Sequence, residues 1–304
     1  MSEIKINRSS WLMIAALGVI WGATFPVIEL ALQGITPFWL ASARIVLATV
    51  LTLGVWRFRG TRLFERPLNK SELLNLLIVG ALSSALPFML ISWGQQYVTA
   101  GFTGISMASA ALMVLPLAHF LIAGEQLSWR KTLGFVVGFV GIVILIGGNA
   151  FETTGTRLET PGRFAVLGAA GCYAISSVFM RRLPAVDPIG LSGVLMVIGA
   201  MIVVPAAVLV EGVPPVPDGK TLFWLAVLGL IPTAGANLLR VQLIRTAGPT
   251  FMSLTNYMVP LWAVFMGWLF LSEDLPGSLI WALLLILGGV GLSQYGSLKR
   301  LFGR

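Results

Sequence analysis

Side chains able to carry out covalent chemistry are scarce in this sequence of 304 residues: one histidine, His119, one cysteine, Cys172, and twelve carboxylates. Eleven of the carboxylates lie in tails or between apolar runs, and Glu29 alone falls inside one. No acid pair, Ser/His arrangement or metal-ligand spacing stands within an apolar run, so an enzyme is not expected. The single cysteine excludes a disulfide framework and a thiolate metal cluster. No Gly-rich phosphate loop is present, so neither nucleotide hydrolysis nor a cofactor is expected. The chemistry left open is non-covalent recognition.

Aromatic and hydroxyl side chains at helical spacing are the residues suited to it. Trp21, Thr24, Phe25 and Ile28 stand at i, i+3, i+4 and i+7, and Tyr173, Ser176, Ser177 and Met180 repeat that stripe 152 residues later. Such a stripe shares one helix face, and aromatic rings offer a large contact area with a polar handle. Further candidate faces carry Phe88, Ile91, Ser92 and Gln95, then Asn237, Arg240 and Val241, then Ser253, Asn256, Tyr257 and Pro260. Thr103, Ser106, Ala110 and Met113 form the corresponding face of the repeat partner of the last of these. Single hydroxyls also serve simply to join helix to helix, and both roles stay open.

Three charged or titratable residues, Arg44, Arg240 and His119, are expected at membrane depth, with Glu29 nearer the edge of its run. Arg44 either anchors structure or reaches a carboxylate, and Arg240 either snorkels to an interface or meets a substrate carboxylate. Glu29 lies close to the outer end of its helix, where it could act at a gate. His119 is either a packing residue or a group that titrates near neutral pH.

The elements that position these residues follow from composition. Hydrophobic residues make up 57% of the chain and charged residues 11%, against about 25% charged in soluble domains. Disorder requires low hydrophobicity; together the two figures leave an integral membrane protein. Ten long apolar runs are predicted as helices: Trp11–Leu32, Pro37–Trp56, Leu73–Trp93, Gly101–Ala123, Trp129–Gly148, Phe164–Arg181, Ile189–Val210, Leu222–Ile244, Thr250–Leu271 and Ser278–Tyr295. The first is too long for a secretion signal and lacks a small-residue cleavage site, so it is taken as a retained span.

Orientation is read from the cations. With the N-terminus inside and ten spans, 15 of the 20 Lys and Arg residues fall in cytoplasmic segments and 3 in external ones, while Arg44 and Arg240 lie inside spans. Both termini are therefore expected in the cytoplasm. The net charge of +8 is accounted for by this asymmetry, and no nucleic-acid partner is implied.

The chain also reads as one motif written twice. Thr99-Ala100-Gly101 recurs as Thr246-Ala247-Gly248, and Gly124-Glu125-Gln126-Leu127 recurs as Ser272-Glu273-Asp274-Leu275 at an offset of 148, which Gly141 and Gly289 share. Residues 10–148 and 163–296 form the two repeats, with a linker at 149–162. Each has five helices, an odd number, so the second lies inverted relative to the first. Inverted repeats around a midplane site are a common architecture of secondary transporters. Gly134, Gly138 and Gly141 on one predicted helix, and Gly288, Gly289 and Gly291 on another, read as seams where backbones approach closely.

Trp21-Gly22-Ala23-Thr24-Phe25, the intramembrane Arg44 and the two Gly/Ser-Glu-x-Leu turns resemble the EamA-type repeat of the drug/metabolite transporter superfamily. The resemblance covers roughly residues 10 to 296. It implies an all-α membrane fold of ten helices, two inverted five-helix repeats around a central cavity, with the fifth and tenth helices peripheral. It is specific for fold and poor for substrate. As a whole the chain looks closest to bacterial inner-membrane exporters of amino acids, including aromatic ones.

The expected function is export of small amphipathic metabolites, foremost amino acids, by alternating access between the halves. Because no carboxylate lies mid-helix, facilitation down the substrate gradient is expected. The alternatives are a proton-coupled exporter of drugs or other metabolites and, more remotely, a non-transporting assembly subunit. The expected partners are a small-molecule substrate and the lipid bilayer of the inner membrane. The residues set no oligomeric state, and a monomer is compatible with them.

Overall fold

The computed structural model describes residues 7–60, 62–121, 128–147, 157–180, 182–184, 186–247, 249–252, 254–275, 277–296 and 299. Within them run ten helical spans: α1 (Arg8–Leu32), α2 (Pro37–Arg59), α3 (Lys70–Gly94), α4 (Ala100–Leu121), α5 (Trp129–Gly147), α6 (Glu159–Met180), α7 (Pro188–Glu211), α8 (Gly219–Leu228, a π-helical segment Gly229–Gly235, then Ala236–Ala247), α9 (Pro249–Met252 and Thr255–Leu271) and α10 (Gly277–Ser293). Seven of them, α1 to α4 and α6 to α8, are long and apolar enough to cross a membrane by length and composition. The fold is all-α, in two five-helix repeats.

Capping residues set several helix starts. The Asn69 side chain accepts from the Glu72 N–H at 2.9 Å, and the Glu72 carboxylate accepts from the Asn69 N–H at 3.0 Å. This capping box starts α3 at Lys70, ahead of the predicted Leu73. Asp187 and Asp218 cap α7 and α8 by accepting from the N–H of Gly190 and Thr221, each at 2.8 Å. The sixth helix starts at Glu159, five residues before the predicted Phe164, because Glu159 and Arg163 form a buried i,i+4 ion pair. Glu159–Gly162 are therefore the first turn of α6 and not part of a linker; residues 149–156 of that expected linker lie outside the described residues.

Irregularities fall where the sequence breaks helical hydrogen bonding. α1 bends at Ala23, between the segments Arg8–Gly22 and Thr24–Leu32. Pro26, three residues later, has no N–H to return to the Gly22 carbonyl, and its ring crowds that carbonyl. α3 and α8 each contain a π-helical segment, Ala81–Ala85 and Gly229–Gly235, whose first residues are 148 positions apart. This is the offset of the sequence repeat.

Packing separates a lining layer from a supporting one. A Cβ on Gly289 of α10 would lie 2.5 Å from the Gly134 carbonyl oxygen and 2.6 Å from the Gly138 nitrogen of α5, and one on Gly141 would lie 2.9 Å from Ile286. Backbone meets backbone there, so α5 and α10 form the predicted small-residue seam. Gly288 takes no part in it, having open space on its Cβ side, and Gly291 is only near Tyr257. The other helices enclose a cavity between the repeats.

Candidate functional site

The cavity has a volume of about 420 Å³ and is bordered by α1, α3, α4, α6, α8 and α9, with one residue each from α2 and α7, Arg44 and Met196. Those two stand 152 residues apart, as Trp21 and Tyr173 do. Met107 and Thr255, and likewise Ala108 and Asn256, line it at the offset of 148. Equivalent positions of the two repeats thus face one space.

The π turn of α8 organises one wall. Pro232 lacks the N–H that would bond the Leu228 carbonyl, and the Thr233 hydroxyl donates to that carbonyl at 2.7 Å. Thr233 Oγ1 also accepts from Arg44 Nε at 3.1 Å, while the Pro232 carbonyl accepts from Trp21 Nε1 at 3.1 Å. Asn237 Nδ2 donates to the Thr233 carbonyl at 2.7 Å. The Arg44 guanidinium lies 3.9 Å above the centroid of the Phe88 ring, a cation–π contact. One irregular turn in the second repeat therefore anchors α1 and α2 of the first.

The hydroxyl stripes are turned partly to their own backbone. Thr24 Oγ1 donates to the Ile20 carbonyl at 2.9 Å, and Ser176 and Ser177 both donate to the Tyr173 carbonyl, at 3.0 and 2.7 Å. Such back-bonding uses the donor and leaves acceptor lone pairs. Ser83 borders the cavity with its hydroxyl buried and unbonded among the described residues.

Electrostatically the cavity is one-sided. Arg44, 4% exposed, and Arg240 border it, and among the described residues its lining includes no Asp, Glu or His. Arg240 makes no hydrogen bond or ion pair among the described residues.

Of the residues expected to form the path, Trp21, Thr24, Phe25, Phe88, Tyr173, Ser176, Ser177, Asn237, Arg240 and Asn256 border this cavity, as does Arg44. Four others do not. Ser92 is fully buried, and Tyr257 packs against the core around α4 and α10; neither hydroxyl has a hydrogen-bond partner among the described residues. His119 is exposed near the end of α4, its ring 5.0 Å from that of Phe120. Glu29 is half-buried beyond the lining, close enough to Glu273 for the two charges to interact. Ser253 lies outside the described residues, as does Glu125 of the first repeated turn. Thr103 and Ser106 of α4 are fully buried; of the predicted α4 face Ala110 borders the cavity, together with Met107, Ala108, Ala111 and Val114.

Sequence reading missed Ser83, Thr233, Thr255 and the pairing of Arg44 with Met196 at equivalent repeat positions. The signal for the last lies in the offset of 152 that the α1 and α6 stripes share.

Two carboxylates join the repeats at one end of the bundle. Glu273 accepts from the N–H groups of Ala100 and Gly101 at 2.5 and 2.9 Å, capping α4. Glu211, at the end of α7, accepts from Thr36 Oγ1 at 2.5 Å and from the N–H groups of Phe38 and Trp39 at 2.9 and 3.1 Å, capping α2. A carboxylate at a helix N-terminus satisfies otherwise unpaired donors and the helix dipole. Burial raises the pKa of Glu273, and its two amide bonds act against that rise.

Comparison with known proteins places this architecture. The chain is 23% identical over 289 residues to the uncharacterized transporter YoaV of Bacillus subtilis (strain 168), covering 94% of this chain and 97% of that one. It is 27% identical over 277 residues to the S-adenosylmethionine/S-adenosylhomocysteine transporter of Chlamydia trachomatis serovar D, covering 86% and 82% of the two chains. The uncharacterized inner membrane transporter YedA of Escherichia coli (strain K12) is 27% identical over 261 residues, covering 83% and 79%. One crystal structure superposes with a TM-score of 0.67 at 18% identity, covering 98% of this chain and all of that one, which shows a shared fold. These relatives do not carry the narrower likeness to amino-acid exporters. The sequence pattern of EamA-like transporters matches residues 8–147 and again 160–294, in agreement with two repeats. The chain is a multi-pass membrane transporter of the EamA-like transporter family.

Proposed function

We propose that the protein exports small amphipathic metabolites, amino acids foremost, by rocking one repeat against the other around the cavity. The observation that carries this reading is the cavity itself, bordered by equivalent positions of both repeats. Its volume of about 420 Å³ suits a small molecule, since ligand sites span roughly 300–1,000 Å³. Trp21, Phe25, Phe88 and Tyr173 suit an apolar side chain, and Arg44 with Arg240 suits a carboxylate. The protein sits in the inner membrane with both termini cytoplasmic, as its cation distribution supports. Glu29, Glu211 and Glu273 then lie toward the outer face. Transport is facilitative, because no carboxylate or histidine borders the cavity among the described residues to carry a proton through it.

Likeness to S-adenosylmethionine/S-adenosylhomocysteine transporters favours a second reading. Both compounds are amino-acid derivatives bearing a purine, and an aromatic wall could stack that ring.

Counterflow in proteoliposomes with a panel of labelled amino acids and S-adenosylhomocysteine tests both. Selective uptake of amino acids supports the first reading and selective uptake of the nucleoside derivative the second. Uniformly flat uptake overturns both.

A further inference from the structure

Two guanidinium groups share the cavity, and the described protein gives them almost nothing to bind. Arginine carries five N–H donors and is always charged. Arg44 uses one, Nε, on Thr233. Its remaining four have no protein partner among the described residues, and all five of Arg240 are likewise unpartnered. Among the described residues the cavity lining holds no carboxylate that could neutralise either group. A positive charge at membrane depth is costly unless paired, and such residues characteristically meet a partner inside the bundle. Among the described residues no such partner borders the cavity, and an anionic cargo would supply it.

A zwitterion satisfies this arrangement poorly. The ammonium of an amino acid is attached one carbon from its carboxylate, so an arginine that grips the carboxylate holds the ammonium nearby as well. The hydroxyls of Ser176 and Ser177 offer lone pairs, but no negative charge offsets two guanidiniums. Removing the ammonium charge leaves the carboxylate contacts intact and removes the repulsion. The flanking surfaces, Trp21, Phe25, Phe88 and Met196, remain available for an apolar body.

We propose that the cavity is an organic-anion site whose favoured cargo joins a carboxylate head to an apolar body with no ammonium beside the head. Among carboxylate-bearing metabolites this orders cargo by charge: N-acylated or 2-oxo acids first, free amino acids second, amino-acid amides last. The inference rests on the reading of the cavity as the transport path and moves its favoured cargo from free amino acids to carboxylates without an ammonium.

The test uses two series of constant body, N-acetylphenylalanine, phenylalanine and phenylalaninamide, and the corresponding leucine compounds. Binding to the purified full-length protein is read by quenching of tryptophan fluorescence and by thermal shift. The expected result is affinity at least about tenfold higher for each N-acetyl acid than for its amide, with the free amino acid between them. Arg240→Gln, which breaks no hydrogen bond within the described residues, should collapse that ratio without lowering thermal stability; Arg44→Lys, retaining charge, should preserve most of it. Equal or tighter binding of the amides overturns the charge assignment while leaving transport intact. Binding of none of the six compounds also overturns it, and the counterflow panel then decides separately whether the transport reading survives.

Discussion

At the scale of single residues, the account rests on what Trp21, Thr233 and Tyr173 touch. Trp21 contributes ring area and a hydrogen bond to the Pro232 carbonyl. Trp21→Ala and Tyr173→Ala should each slow counterflow by about tenfold or more, the loss expected when about 1.4 kcal/mol of contact is removed. The protein should remain monodisperse in detergent, and wild-type transport by both variants would make the stripes packing only. Thr233→Val keeps the side-chain shape but removes the hydroxyl joining the Leu228 carbonyl to Arg44. Leaving both groups short of a partner should cost about 1–3 kcal/mol of stability, measurable as a lowered thermal midpoint. The α1 and α6 stripes were legible because polar and aromatic residues there recur at one offset. Ser92 and Tyr257 were misplaced because their helices are apolar on nearly all sides, so periodicity gives no direction for the face. Ser92 and Tyr257 turn instead toward protein, their hydroxyls buried and without a partner among the described residues.

At the scale of elements, the ten spans were legible from apolar runs and the cation asymmetry. Their ends shifted where side-chain caps or ion pairs extended them, as at Asn69 and Glu159. The π segments were not legible, because a proline in an apolar run predicts a break but not how the freed carbonyl is satisfied. Wide turns of this kind are often found at functional sites, and both here occur at equivalent repeat positions. Pro232→Ala supplies the missing N–H and should let α8 close toward regular helix. The expected outcome is a higher thermal midpoint together with slower counterflow, since the turn presents groups to both Trp21 and Arg44. A variant both less stable and fully active would contradict that role. Gly289→Leu on the peripheral seam should instead lower stability sharply, because its Cβ meets Gly134 and Gly138 backbone atoms at 2.5 and 2.6 Å, and backbone cannot yield.

At the scale of the whole molecule, Glu211 and Glu273 tie helix starts of the first repeat to the second at one end of the bundle. Alternating access requires those ties to break on each cycle. Glu211→Gln weakens three charge-assisted bonds, each worth about 1.5–3 kcal/mol, and should shift the resting population toward the state open at that end. Side-specific proteolysis or labelling of the α1–α2 turn reads this shift; an unchanged pattern would make the contact a passive cap. The central claim is that the cavity between the repeats is reached in turn from both sides. It is tested most directly with Ser177→Cys, an exposed cavity residue, in a Cys172→Ser background, reconstituted and treated with a membrane-impermeant thiol reagent from either face. The account predicts labelling from both faces, suppressed by transported substrate and accompanied by loss of counterflow. Labelling confined to one face under every substrate condition would contradict it.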